Sequence, residues 1–325
     1  MKESILNKIL GIVLLIFVTK TFSIFAVASD STLRSPADSV LKRSAKETGK
    51  LFFWEVSSDK NVIYILGSVH YAKASMYPLD PSVLSAYKKC QKVVVESDET
   101  DPNIENRTIE FMEKNVGIPS EETLDDYLSD VEIKTLEKML PEDLPYEYAK
   151  FLRPWYLGII LVDKFVEESD YKSNLGIDLH FTLKAKNEQK EILSLEEPET
   201  AMQALIPEVW GEEIELLKEM LQEDFDYQEY FDKLFDLWNK GDAEGLYQLI
   251  VIDEINKSIA SRNFIIRLNN DRNIAWIPKI EGFLKSDVLH FVIMGAGHTL
   301  GDEGVINLLS DKGYRVRRFD KTISE

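Results

Sequence analysis

The sequence predicts an α/β fold: a mixed central sheet built from βαβ-type units at both ends of the chain, with a long helical insertion between them. Three observations lead there. First, the apolar runs Val62–Leu66 and Val288–Met294 read as buried strands, and each runs into a G-x-x-H, Gly67 to His70 and Gly295 to His298. Second, strand and helix patterns alternate within short spans near both ends, which implies parallel strands joined by helices. Third, from about residue 103 to 285 the apolar residues recur mostly with helical spacing.

Taken in order, the chain opens with Lys2 and Lys8, an apolar run from Ile9 to Val18, and Ala26-Val27-Ala28. That is the pattern of a signal peptide over residues 1–28 with an A-x-A cleavage site. Lys20 interrupts the apolar stretch, so a full membrane span is disfavoured, since about 20 apolar residues are needed. The expectation is an exported protein, periplasmic or extracellular. An uncleaved N-terminal anchor is the alternative and the sole expected membrane contact. Residues 29–46 are polar and read as a flexible leader, and 47–325 as a single domain.

Leu51–Val56 is a strand, Ser57–Asn61 a turn, and Val62–Leu66 its hairpin partner. Pro81–Cys90 reads as a helix with Asp80 as N-cap. Lys92 to Glu96 is a third strand ending in a carboxylate, which would put Glu96 and His70 at one edge of neighbouring strands. Helical patterns follow at Asp125–Leu140, at the apolar Trp155–Val166, and at Leu179–Lys186, where Asp178 suits an N-cap. Lys190–Leu195 is a strand running into Glu196-Glu197. Helices at Thr200–Leu205 and Glu212–Lys240 come next, the second carrying Phe225, Tyr227, Tyr230, Phe231, Phe235 and Trp238 at packing spacing. Gly241 marks a helix end. Helices at Asp242–Ser258 and Arg272–Leu284 precede the last unit, in which Val288–Met294, Asp302–Leu309 and Tyr314–Phe319 read as strand, helix and strand.

Composition narrows the partners. A net charge of −19 opposes a nucleic-acid partner, because phosphate binding needs clustered Lys and Arg. The lone cysteine, Cys90, forms no internal disulfide and reads as a small buried apolar residue. The long acidic helical middle offers a surface for a homodimer.

The chemistry rests on the paired G-x-x-H. Glycine after a strand lets the backbone turn and approach a ligand, and sites in open α/β sheets form beyond the carboxyl ends of strands. Two imidazoles and a carboxylate suit Zn, Mn, Fe or Co and leave positions open for water and substrate. His180 and His290 lie inside a helix and a strand and read as structural. G-x-S-x-G, the phosphate-binding G-x-x-x-x-G-K-[ST] and H-E-x-x-H are all missing.

Six features in order make a resemblance specific. They are Gly67-Ser68-Val69-His70, Glu96, Gly176-x-Asp178, Leu195-Glu196 followed by Gln203, Arg272-Asn273-x-x-Trp276, and Gly295-Ala296-Gly297-His298-x-x-Gly301. Over about residues 50–320 the chain resembles the TraB/GumN family, which includes Tiki-type proteases and pheromone-shutdown proteins. The resemblance implies an α/β fold in which the two motifs converge and, for Tiki-type members, metal-dependent peptide-bond cleavage with Mn or Co. It implies His70 and His298 as metal ligands and Glu96 as third ligand or general base. Arg272 would clamp a substrate carboxylate or stabilise developing negative charge, or serve as an ion-pair partner. Asp178, Glu196, Gln203, Asn273, Gly67 and Gly295 are candidates for substrate binding or for supporting the ligands.

The leading expectation is therefore an exported metal-dependent hydrolase acting on a peptide or small molecule. Two others stand beside it: a non-catalytic binder of a peptide signal or an iron or haem compound, and a metal-free esterase with His70 as general base.

Overall fold

The computed structural model describes residues 49–322, except residues 99, 120 and 223–225. The expected signal peptide and leader, and Phe225, lie outside the described residues. The strands are β1 Lys50–Ser57, β2 Val62–Ser68, β3 Lys92–Val95, β4 Glu191–Ser194, β5 His290–Gly295 and β6 Arg315–Asp320. Their order in the sheet is β4-β3-β5-β2-β1-β6. β1 pairs antiparallel with β2 and with β6, while β2–β5, β5–β3 and β3–β4 are parallel. The fold is thus α/β with a mixed sheet.

Strand alternation explains why both faces of this sheet are covered. Phe53, Leu66, Val93, Val95, Phe291 and Ile293 enter one apolar core, and Phe52, Trp54, Ile63, Ile65, Val94, Val292 and Met294 enter the other. Each such side chain contributes about 1.5–3 kcal/mol on burial. A one-residue slip of register would exchange the two sets. Helices α1 (Pro81–Lys89) and α6 (Ile177–Asn187) cover the first face through Val83, Tyr87, Ile177 and Phe181. Helices α13 (Arg272–Lys285) and α14 (Val305–Asp311) cover the second through Trp276, Ile280, Val305 and Leu309.

The helical middle builds a third core of its own. α2 (Ile104–Asn115), α3 (Asp130–Met139), α4 (Tyr146–Ala149), α5 (Pro154–Glu168), α7 (Pro198–Ala204) and α8 (Trp210–Met220) lie along this stretch, and Phe111, Leu136, Trp155, Leu157 and Leu217 are buried together there. Then come α9 (Tyr227–Lys240), α10 (Ala243–Tyr247), α11 (Asp253–Ile255) and α12 (Ile259–Ile265). Two π-helical segments interrupt this run, Gln248–Ile252 before α11 and Ile266–Asp271 between α12 and α13. No helix among the described residues is long and apolar enough to cross a membrane.

Several expectations change in detail. β2 and β3 are parallel but not neighbours, because β5, arriving from the far end of the chain, inserts between them. Ser129, with Glu132 in a capping box, starts α3 at Asp130 rather than Asp125. The span read as one helix from Glu212 to Lys240 is two, α8 and α9, with Asp226 capping the second. Asp178 is not an N-cap: Gly176 holds that place and Asp178 sits in the first turn of α6. Asp80 does cap α1, accepting from the Ser82 amide at 2.9 Å.

Candidate functional site

The insertion of β5 creates the site. The chain leaves β3 toward β4 on one side and leaves β5 toward β6 on the other. The carboxyl ends of these adjacent strands therefore flank a topological switch point, where open α/β sheets form crevices. Glu96 follows β3, the 3₁₀ turn Ala296–Thr299 follows β5, and His70 follows β2 on the other side of β5.

The three come together at Gly295. Its amide donates to Glu96 Oε1 at 2.6 Å. A Cβ built there would lie 3.4 Å from Glu96 Oε1, 3.6 Å from His298 Cδ2 and 3.9 Å from His70 Nε2. Any larger residue would fill the space these groups face, so glycine keeps the centre open. Gly67 acts by packing: a Cβ on it would lie 3.2 Å from the Ala296 Cα, and its carbonyl accepts from Trp238 Nε1 at 2.9 Å.

Each histidine has its Nδ1 held by a partner outside the centre. His298 Nδ1 lies 2.7 Å from Asn273 Oδ1, and Asn273 Nδ2 donates to the Glu303 carbonyl at 2.9 Å. The second bond orients the amide, so its oxygen must accept, and His298 carries its proton on Nδ1. His70 Nδ1 lies 2.7 Å from Asp178 Oδ2. Both rings therefore turn Nε2 toward the centre, the arrangement in which outer partners fix ligand imidazoles. The positioning of Asp178 depends on Gly176, whose Cβ would fall 2.4 Å from the His70 carbonyl. Only glycine lets the start of α6 approach the His70 loop so closely.

Arg272 ties the acidic side together. Its NH2 donates to Glu96 Oε2 at 2.7 Å and to Glu196 Oε1, its Nε donates to Glu196 at 3.0 Å, and its NH1 reaches His298 Nε2 at 3.2 Å and the Leu268 carbonyl at 3.0 Å. The β3–β4 ladder continues past the strands, with the Glu196 amide donating to the Glu96 carbonyl, so the two acids stand side by side for one guanidinium. Glu196 Oε2 also accepts from Trp276 Nε1 at 3.2 Å. The Trp276 ring lies 4.8 Å from the guanidinium and 4.5 Å from the His298 ring.

Burial sets the electrostatics. Desolvation alone would raise the Glu96 pKa, but His298, Arg272, His70 and the Gly295 amide overcome it and hold Glu96 at about 2. Burial pushes His298 down to about 4, against the pull of Glu96. At neutral pH the site thus holds an anionic Glu96 and a neutral His298. Burial would lower Arg272, yet Glu96 and Glu196 raise it.

Of the ten residues singled out, nine gather here: His70, His298, Glu96, Arg272, Asp178, Glu196, Asn273, Gly67 and Gly295. Gln203 does not: it is exposed on α7 and joins none of these hydrogen bonds among the described residues. Sequence reasoning gave no role to Trp276. Its position four residues after Arg272, on the same helix face, was the available signal. It also missed Asn269, whose side chain reaches the Gly297 carbonyl at 3.4 Å from the π-helical turn. His180 lies between Tyr77 and Phe181, and His290 stacks on Phe283, both away from this centre.

The donor types fit a divalent cation: two Nε2 lone pairs and a carboxylate kept ionised. The spacing is less closed. Glu96 Oε1 is 3.7 Å from His298 Nε2, Arg272 donates to both, and no group of three His, Cys, Asp or Glu among the described residues is tight enough to hold a metal. A cation would require Arg272 to release His298.

The chain is 20% identical over 248 residues to the uncharacterized protein YbaP of Escherichia coli K12, covering 76% of this chain and 87% of that protein. The YbaP of Shigella flexneri matches to the same extent. No solved structure matches significantly. The TraB/PrgY/gumN family profile matches residues 52–318, the span that runs from β1 to β6 and contains both G-x-x-H turns. The chain therefore belongs to the TraB/PrgY/gumN family.

Proposed function

We propose that the protein is a metal-dependent hydrolase, acting on an amide bond in a peptide, with His70, His298 and Glu96 as the cation's ligands. The observation that carries this reading is the pair of histidines with Nδ1 held by Asp178 and Asn273 and Nε2 turned toward Glu96. The family resemblance favours Mn or Co, and the donor set also accepts Zn or Fe. When bound, such a cation supplies Lewis acidity toward a carbonyl and makes water a nucleophile at neutral pH.

The chain's own residues supply the rest. Asp178 and Asn273 fix the tautomers. Glu96, held near pKa 2, is a poor proton acceptor at neutral pH and serves better as an anionic ligand than as general base. Arg272 is the buried cation that meets negative charge developing on the carbonyl oxygen, and Glu196 and Trp276 hold it in place. Cleavage of a peptide library by the mature domain, with Mn or Co and again with a chelator, tests the reading. Cleavage lost with chelator and with His298→Ala supports it; cleavage indifferent to both contradicts it.

A second reading has its own observation. His70 is exposed and backed by Asp178 at 2.7 Å, the geometry of a general base oriented by a carboxylate. Metal-free ester hydrolysis would use that pair and would survive chelation.

A further inference from the structure

α12, the π-helical turn Ile266–Asp271 and α13 run on as one continuous helix, since Ile266, Asp271 and Arg272 at the junctions all keep helical backbone angles. The inner face of this helix carries Asn269, Arg272, Asn273 and Trp276 to the site and the core beneath it. The outer face is apolar in an unexpected way. Five large apolar side chains are exposed among the described residues, and three of them stand here: Ile259 at 72%, Ile266 at 38% and Ile274 at 54%.

Their spacing makes a single stripe. Ile259 and Ile266 are seven residues apart, close to two turns of α-helix, so they share a face. Ile266 and Ile274 are eight apart, which in an unbroken α-helix would swing Ile274 about 80° off that line. The π-helical turn lies between them and takes in an extra residue. The longer step therefore closes in phase, and Ile274 returns to the line of Ile259 and Ile266. Arg262 and Asp271 flank the stripe; both are exposed, and neither makes an ion pair among the described residues. Single surface isoleucines are ordinary, but a row of them along about 20 Å of one helix is a docking face.

The row is complementary to its own reversal. A second copy of the helix can be laid antiparallel across it, with the two-fold axis between residues 266 and 267. Ile259 then meets the partner's Ile274, the two copies of Ile266 meet beside the axis, and Arg262 meets the partner's Asp271. One axis satisfies all three pairings, and each contact off the axis occurs twice, as a two-fold interface requires. Charge favours the same occupant. At −19, two copies repel each other over most of their surfaces. This face instead offers one cation and one anion, placed to pair across the axis.

We infer that the outer face of this helix is the contact between two copies of the chain, packed antiparallel about Ile266. The inference is independent of the hydrolase reading. In the dimer each copy backs the helix that carries the other's Arg272 and Asn273.

The test is sedimentation velocity of the full chain over a concentration series. The wild type should dimerise with a Kd in the micromolar range, roughly 1–10 µM. Ile266→Glu sets two like charges together at the axis and should weaken the dimer by at least about tenfold. Arg262→Asp and Asp271→Arg each place like charges opposite one another in both halves, so each alone should be monomeric. Mixed in equal amounts, these two variants should form a heterodimer, because each then finds its opposite on the other chain. A purely local effect of either substitution gives no such rescue. Thermal melts check that every variant folds; if a charge variant does not, Ile266→Glu and Ile274→Glu decide. A wild type still monomeric at about 100 µM, self-association that survives Ile266→Glu, or folded charge variants that stay apart when mixed would overturn the inference. So would a monomer that binds phosphatidylcholine vesicles and loses them with Ile266→Glu, which would give the face to lipid.

Discussion

His298 Nδ1 sits 2.7 Å from Asn273 Oδ1, which joins the turn after β5 to the start of α13 and fixes which imidazole nitrogen faces the site. Replacing Asn273 with Leu keeps the volume and removes the acceptor, leaving a buried N–H and the Glu303 carbonyl unpaired. The variant should lose about 1–3 kcal/mol of stability in urea unfolding. It should also bind Mn or Co about 10–100-fold more weakly by titration calorimetry.

Arg272→Met should be more severe. It leaves Glu96 and Glu196 adjacent and without their shared cation, a loss of about 3–5 kcal/mol. The double variant Arg272→Met/Glu196→Gln removes one of the two charges and should recover part of that loss. A double-mutant cycle in urea reads the coupling directly.

Acid should destabilise the protein in two stages. His298 has a folded pKa depressed to about 4 from an ordinary 6.5, so its contribution is complete above 6.5 and is lost as pH falls toward 4. Glu96, depressed to about 2 from 4.5, adds a second loss between 4.5 and 2. In both windows the unfolded chain binds more protons, so stability rises with pH. Thermal midpoints measured from pH 7 to 4 should fall for the wild type and fall less for His298→Asn.

Gly176→Ala should act on His70 at a distance from its ring. The added Cβ would meet the His70 carbonyl at 2.4 Å, so α6 must draw back and carry Asp178 with it. Loss of about 1–3 kcal/mol is expected from the overpacking, together with weaker cation binding. Gln203→Ala is the matched control: exposed on α7, it should stay within about 0.5 kcal/mol of wild type and keep full cation binding.

Much of the site was legible because its residues follow strands. An apolar run ending in glycine marks a strand's carboxyl end, which is how His70 and His298 were found from local pattern, and Glu96 was found as the carboxylate that ends the short apolar run from Lys92. Strand order was not legible. Nothing local to Val288–Met294 says that it inserts between β2 and β3, and that insertion makes the switch point. Asp178 was misread as a cap because Asp before a helix usually is one; the tight approach of Gly176 to His70, a tertiary contact, starts the helix earlier. The role of Arg272 in joining two acids and a histidine depends on three distant segments, and the π-helical turn before it has no simple sequence signal. The expected export rests on residues outside those described.

The most direct measurement is elemental analysis of the protein after incubation with Mn or Co and desalting, beside the His70→Ala/His298→Ala double variant. About one metal per chain is expected in the wild type and none in the variant. Equal metal in both, or none in either, would contradict a metal centre at His70 and His298.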